Sequence, residues 1–189
     1  MILANEQAIV DLLSSDKETM SALRIVQSLD LPDWWICAGF VRSKIWDKQH
    51  GFSHTTLVDD VDVVYFDQHN TDESIEKELE QRLRSTLPTI PWSVKNEARM
   101  HHVNGLEPYI DTIDAISKFP ETVTAIGIKL DTNDSLRLVA PHGVDDILNM
   151  AVRPTPYFTD SNQRMQIYHH RIQKKKWHNR WPKVTYLVE

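Results

Sequence analysis

Two aspartates one residue apart open the most strand-like run of the chain. In Asp59-Asp60-Val61-Asp62-Val63-Val64-Tyr65-Phe66-Asp67, the alternation of side chains along a strand puts Asp60 and Asp62 on one face and Val61 and Val63 on the other. Two carboxylates about 7 Å apart on one face repel each other, and a hard divalent cation removes that repulsion. Mg2+ suits such a pair, because it takes one or two carboxylates and fills its remaining positions with phosphate oxygens and water; Mn2+ is an alternative. The plainer reading of an Asp-x-Asp pair, as a cap for nearby loop N–H groups, loses ground because of what lies upstream.

There, Ile36-Cys37-Ala38-Gly39-Phe40-Val41-Arg42 reads as a strand, a glycine turn and a helix start. Gly39 lets the backbone approach a phosphate, and a helix beginning near Phe40 or Val41 aims free N–H groups at that anion. Arg42, in its first turn, adds a charge-assisted contact.

Regular elements must hold these groups. Apolar spacing predicts a helix over 5–29, with a break near Ser14–Asp16, ended by Leu31-Pro32. Strands are expected at 34–38, 61–66, 90–95, 122–130 and 136–139, the last two joined by a turn at Asp131–Asp134. Helices are expected at 41–50, 72–87, 143–150 and 162–176. The order predicts an α/β (α+β) fold with a mixed sheet and flanking helices, as a single domain over 1–189.

Other residues carry weaker signals. Lys95 and Asn96, closing a strand beside the proposed site, are candidates for contact with phosphate or ribose. His101-His102 are adjacent and are expected to point apart. Asp145-Asp146 suit a helix N-terminus. Cys37 reads as a small core hydrophobe. Trp177 and Trp181, interleaved with Lys174–Lys176, His178 and Arg180, read as anchors of the terminal segment or as an RNA-stacking platform.

Composition narrows the class. The chain has 189 residues, 41% hydrophobic and 25% charged, as in ordinary globular proteins rather than disordered ones. One cysteine forms no internal disulfide and no multi-cysteine zinc site. No window approaches the roughly 20 apolar residues of a membrane helix, and the N-terminus lacks the pattern of a secretory leader, so no membrane partner and a cytoplasmic location are expected. The formal charge of −6 conceals a polarity. Residues 157–189, a basic segment expected to be helical, hold seven Lys or Arg against Asp160 and Glu189, a balance of +5, so the first 156 residues carry −11. Such a segment docks on the acidic body or draws in a polyanion.

Gly39-Phe40-Val41-Arg42 followed by Asp60-Val61-Asp62 resembles the nucleotidyltransferase superfamily (DNA polymerase β-like), and most closely the head of tRNA CCA-adding enzymes. With residues 92–101, 119–122 and 140–146 included, the chain from about 20 to 185 resembles a bacterial family of small nucleotidyltransferase-like proteins. The resemblance implies transfer of a nucleoside monophosphate from an NTP to an acceptor that is a small molecule, a protein or an RNA. It implies two Mg2+ ions on Asp60 and Asp62, phosphates on Gly39 and the N–H groups after it, including that of Phe40, and charge neutralisation by Arg42. Phe40 stands where the superfamily usually has Gly or Ser. A third carboxylate is expected from a later strand: Asp111, if 109–113 is a strand, ahead of Glu97. Two other readings remain open: a non-catalytic nucleotide-binding module, and a glycosyltransferase using Asp-x-Asp to hold Mn2+ and a sugar nucleotide.

Overall fold

The β-branched run at 61–65 becomes an inner strand, and the rest of the chain is arranged about it. In the computed structural model, which describes residues 2–187, the chain opens with two helices, α1 (Glu6–Ser15) and α2 (Lys17–Gln27). Asp16 ends the first and caps the second by accepting from the Thr19 N–H. The helix expected over 5–29 is therefore divided at the break expected near Ser14–Asp16. β1 (Trp35–Cys37) leads into α3 (Gly39–His50), which ends at Gly51 in the left-handed conformation. Next come β2 (Val61–Tyr65), α4 (Glu73–Thr86, capped by Asp72) and β3 (Trp92–Asn96). Helices α5 (Glu97–Asn104) and α6 (Thr112–Ser117) precede the hairpin of β4 (Gly127–Leu130) and β5 (Leu136–Val139). The remainder holds α7 (Asp145–Leu148), β6 (Ala151–Val152), α8 (Pro156–Thr159), α9 (Asn162–Lys175), a 3-10 turn at Trp177–Asn179, and β7 (Thr185–Tyr186).

The five-stranded sheet has the order β3-β2-β1-β4-β5, with β2 and β3 parallel and the other neighbours antiparallel. This is the mixed sheet expected. Its two faces are unequal. Ile36, Val61, Val63, Tyr65 and Val94 enter the main core with apolar side chains of α1 to α4, while Trp35, Cys37 and Val64 meet Ile116 and Ala125 in a small second cluster. The second face is left partly open.

Three expectations change. Residues 122–126 are not strand: the N–H groups of Thr124 and Ala125 turn back onto the Glu121 carbonyl, so β4 starts at Gly127. Residues 109–113 are not strand either, because Asp111 caps α6, its carboxylate accepting from Asp114 N–H at 2.7 Å while Asp114 accepts from Ile110 N–H. The basic segment 157–189 is helical over α8, α9 and the 3-10 turn, and its last two residues lie outside the described ones. The Asp131 turn is present, with the Asp131 carboxylate accepting from Asn133 and Ser135 N–H.

Buried polar groups fix how elements meet. Glu76 of α4, fully buried, accepts from the Asn96 N–H and from Arg99 at 2.9 Å, and pairs with Lys95 at 3.4 Å. Burial raises its carboxyl, but Arg99 and the Asn96 N–H outweigh that and leave it below the ordinary value of 4.5. A folded-state value below the unfolded one stabilises the fold above about pH 4.5 and loses that stabilisation as pH falls through the folded value. Glu76→Gln is expected to lose about 2–4 kcal/mol at pH 7 in urea unfolding, and the difference from the unmodified protein should shrink below about pH 4. An equal difference at both pH values would contradict this account.

Candidate active site

Because β2 gives Val61 and Val63 to the main core, Asp60, Asp62 and Val64 face the open side. Asp62 stands opposite Cys37 of β1, at the end from which Ala38 turns the chain into α3. These residues, with Gly39, Arg42 and Glu97, line one cleft of about 720 Å3, a size suited to a small ligand.

The turn is strained at Ala38, whose φ of 55° and ψ of −119° are rare for a residue with a side chain. Gly39 has no positive φ, and its use is the absence of a side chain: a Cβ there would stand 3.7 Å from Arg42 Nη2. The first helical bond runs from Arg42 N–H to the Ala38 carbonyl, and no side chain caps α3. The N–H groups of Gly39, Phe40 and Val41 are therefore left for a ligand. Phe40 contributes its backbone only; its ring is buried in the main core, 5.0 Å from Lys44 Nζ. The bulky residue does not narrow the approach.

Arg42 is buried, with its guanidinium carbon 4.5 Å from the Trp177 ring centroid, 5.1 Å from Trp46 and 5.9 Å from Trp181. Burial pushes it down to about 10, partly opposed by Glu121, Asp62 and Asp60. The tryptophans of the tail are thus anchors, and both also line the cleft.

The carboxylates press on one another. Asp62 is raised to about 6 by burial and then by Asp60, and Glu97 to about 8 by burial and then by Asp62. Cys37 rises for the same reasons, burial first and then Asp62, Glu97 and Asp60, so it is an inert thiol. Glu97, the first residue of α5, is the third acid of the cleft. Asp111 is not among the cleft residues, its carboxylate being used on α6. The pointer to Glu97 in the sequence is an acid just past a strand that neighbours and parallels the Asp-x-Asp strand.

The carboxylate oxygens of Asp60 and Asp62 are donors of the kind a hard divalent ion takes, and its charge would relieve their repulsion. Among the described residues no group of three His, Cys, Asp or Glu side chains is placed to hold a metal ion, so phosphate oxygens and water would have to supply the rest of the shell. Lys95 and Asn96 lie elsewhere. Lys95 pairs with Glu76, and the Asn96 side chain donates to the carbonyls of Asp67 and Asn70 and accepts from Asp67 and Ala98 N–H. His101 and His102 do not diverge, their ring centroids being 3.8 Å apart.

The basic segment forms the facing wall, with His170, Arg171, Lys174, Lys175 and Arg180 lining the cleft. Arg171 is fixed at 2.8 Å to buried Glu121, and Lys175 and Arg180 each lie 3.8 Å from Asp59. Sequence reading isolated the charge of this segment but not its place opposite Asp60 and Asp62.

An uncapped helix end and strand carboxylates thus share one cleft on the open side of a small mixed sheet, the arrangement expected from the resemblance to nucleotidyltransferases. A family model described as nucleotidyltransferase matches residues 24–186, and the chain belongs to that family. A structure described as an NMR structure revealing a CCA-adding enzyme head domain matches at TM-score 0.88 and 35% identity, covering 98% of this chain and 97% of that one. The Thermotoga maritima CCA-adding enzyme complexed with tRNA matches at TM-score 0.56 and 14% identity, over 100% of this chain and 43% of that one. A CCA-adding enzyme complexed with CTP matches at 0.51 and 16%, over 93% and 42%. With these two the fold is shared, and the chain spans less than half their length. Comparison with curated proteins gave no match. No helix among the described residues is long and apolar enough to cross a membrane.

Gly39→Ala tests the uncapped helix end directly. The added methyl makes only an ordinary contact with Arg42, so the unfolding midpoint should hardly move. It also stands where an anion reaches the N–H groups, and affinity for a nucleoside triphosphate in calorimetry should fall about tenfold or more. Unchanged affinity would remove this helix end from the binding site.

Proposed function

We propose that the chain transfers a nucleoside monophosphate from an NTP to an acceptor, in a reaction that depends on Mg2+ or, in its place, Mn2+. The carrying observation is that Asp60, Asp62 and Glu97 share one cleft with the free N-terminus of α3 and with Arg42. In this reading the N–H groups of Gly39, Phe40 and Val41 and the Arg42 guanidinium bind the β- and γ-phosphates. That places the α-phosphorus near the carboxylates. Asp60 and Asp62 would hold the metal, which when bound supplies neutralisation of charge on the triphosphate and orientation of the reacting oxygens. An acceptor oxygen forms its bond to the α-phosphorus, the bond from that phosphorus to the bridging oxygen of the β-phosphate breaks, and pyrophosphate leaves with the electron pair. In this reading Glu97, in its ionised form, takes the proton that the acceptor loses. The fold neighbour described as complexed with CTP supports an NTP as donor. The acceptor class, whether small molecule, protein or RNA, is left to experiment.

Amide shifts near Gly39 and Asp60 on titration with ATP, GTP, CTP and UTP plus Mg2+ test the binding, and their absence with all four would sink the proposal. Asp60→Asn and Asp62→Asn should each abolish the enhancement of NTP affinity by Mg2+ and lower pyrophosphate release by at least about a thousandfold. If NTP binds but neither the unmodified protein nor the variants release pyrophosphate with any acceptor class, the chain is a nucleotide-binding module instead.

A further inference from the structure

Arg42 is a buried cation without a direct counter-ion. It is 7% exposed, its Nε has no hydrogen-bond partner, and it makes no ion pair among the described residues. Of the acids nearest in effect, Glu121 is paired with Arg171, and Asp60 and Asp62 line the same cleft without forming an ion pair with it. A buried guanidinium is costly unless its charge and its N–H groups are satisfied. Three indoles meet part of that need: Trp46, Trp177 and Trp181 lie 5.1, 4.5 and 5.9 Å from its carbon, within reach of a cation–π interaction. The cage is itself braced, because Trp177 and Trp181 pack edge-on to Trp46 at 5.8 and 5.2 Å and the Trp181 indole N–H donates to Asp47 at 2.7 Å. Indole faces accept no hydrogen bond of normal strength, so the buried Nε–H of Arg42 stays unsatisfied. One of them, Nη2, lies beside Gly39 at the uncapped end of α3. Two independent donor sets, helix N–H groups and a caged guanidinium, therefore converge on the same corner of the cleft.

We propose that the segment Trp177–Trp181 belongs to a polyphosphate-binding site, Trp177 and Trp181 being positioning residues that hold Arg42 over the free N-terminus of α3. The proposal rests on the nucleotidyltransferase reading for the identity of the polyphosphate as part of an NTP, but the anion site stands on the geometry alone.

Inorganic tripolyphosphate, without metal or nucleotide, is the probe that separates the two. In the unmodified protein the Arg42 Nε–H resonance should be displaced by the indole ring currents, and it should move on titration with tripolyphosphate. Arg42→Lys identifies the resonance and should weaken binding about tenfold, since an ammonium does not reproduce the planar fork. Trp177→Leu keeps apolar volume but removes the aromatic face, and should also weaken binding about tenfold, while Trp177→Phe stays within about threefold. If Trp177→Leu does not fold, the resonance in the unmodified protein decides. No binding of tripolyphosphate, an Arg42 resonance indifferent to it, or full affinity in folded Trp177→Leu would each overturn the proposal. Tripolyphosphate bound through Arg42 in a protein that transfers no nucleotide would leave this site standing and remove the transferase reading; transfer with an indifferent Arg42 would do the reverse.

Discussion

The arrangement depends on which face of β2 is buried. Val61, Val63 and Tyr65 are almost wholly removed from water, and each such side chain contributes roughly 1.5–3 kcal/mol. Their sum far exceeds what it costs to hold two carboxylates side by side at a partly wet surface, where unit charges 4 Å apart interact by only about 1–4 kcal/mol. The apolar face therefore chooses the register, and Asp60 and Asp62 are carried to the open side whether or not a cation is present. A slip of one residue would send both into the main core. The same parity sends Trp35 and Cys37 to the acidic side and Ile36 to the main core.

The second determinant is the return of the basic segment. Five of its seven cations, Lys174, Lys175, Lys176, Arg180 and Lys183, are exposed, but three of the seven are drawn onto acids of the body. Arg171 is spent on buried Glu121, and Lys175 and Arg180 lean toward Asp59 at the rim. Asp47 does the stitching from inside, accepting from the Trp181 indole and from both the N–H and the hydroxyl of Thr56. One buried carboxylate on α3 thus ties together the loop before β2 and the segment after α9. The charge polarity of the sequence becomes, in three dimensions, the two walls of a single cleft.

Much of this was legible in the sequence, and what was not has identifiable causes. The β2 alternation, the glycine turn and the Asp-x-Asp pair are local patterns, and local patterns survive folding. The third acid was not local. Asp111 looked eligible only if its neighbours were extended, but the Asp111-x-x-Asp114 pair satisfies helix N–H groups better than any sheet edge could. Phe40, bulky where the superfamily usually has Gly or Ser, leaves the approach open because its ring is buried in the main core, and the strained position of the turn is Ala38, which no sequence pattern marked. Asn96 and Lys95 looked like ligand contacts for want of knowing that Glu76, 19 and 20 residues earlier, would be buried against them.

The bond between Asp47 and Trp181 joins positions 134 residues apart in the chain. Contacts of such separation close large loops, and they form late unless shorter-range structure has already brought their partners together. The five strands of the sheet and the acids lie within residues 35–139, whereas the basic wall, Trp177 and Trp181 come from the final stretch. The cationic side of the cleft is thus contributed by the last part of the chain to be made, and its closure over the acids waits on a contact that spans most of the sequence.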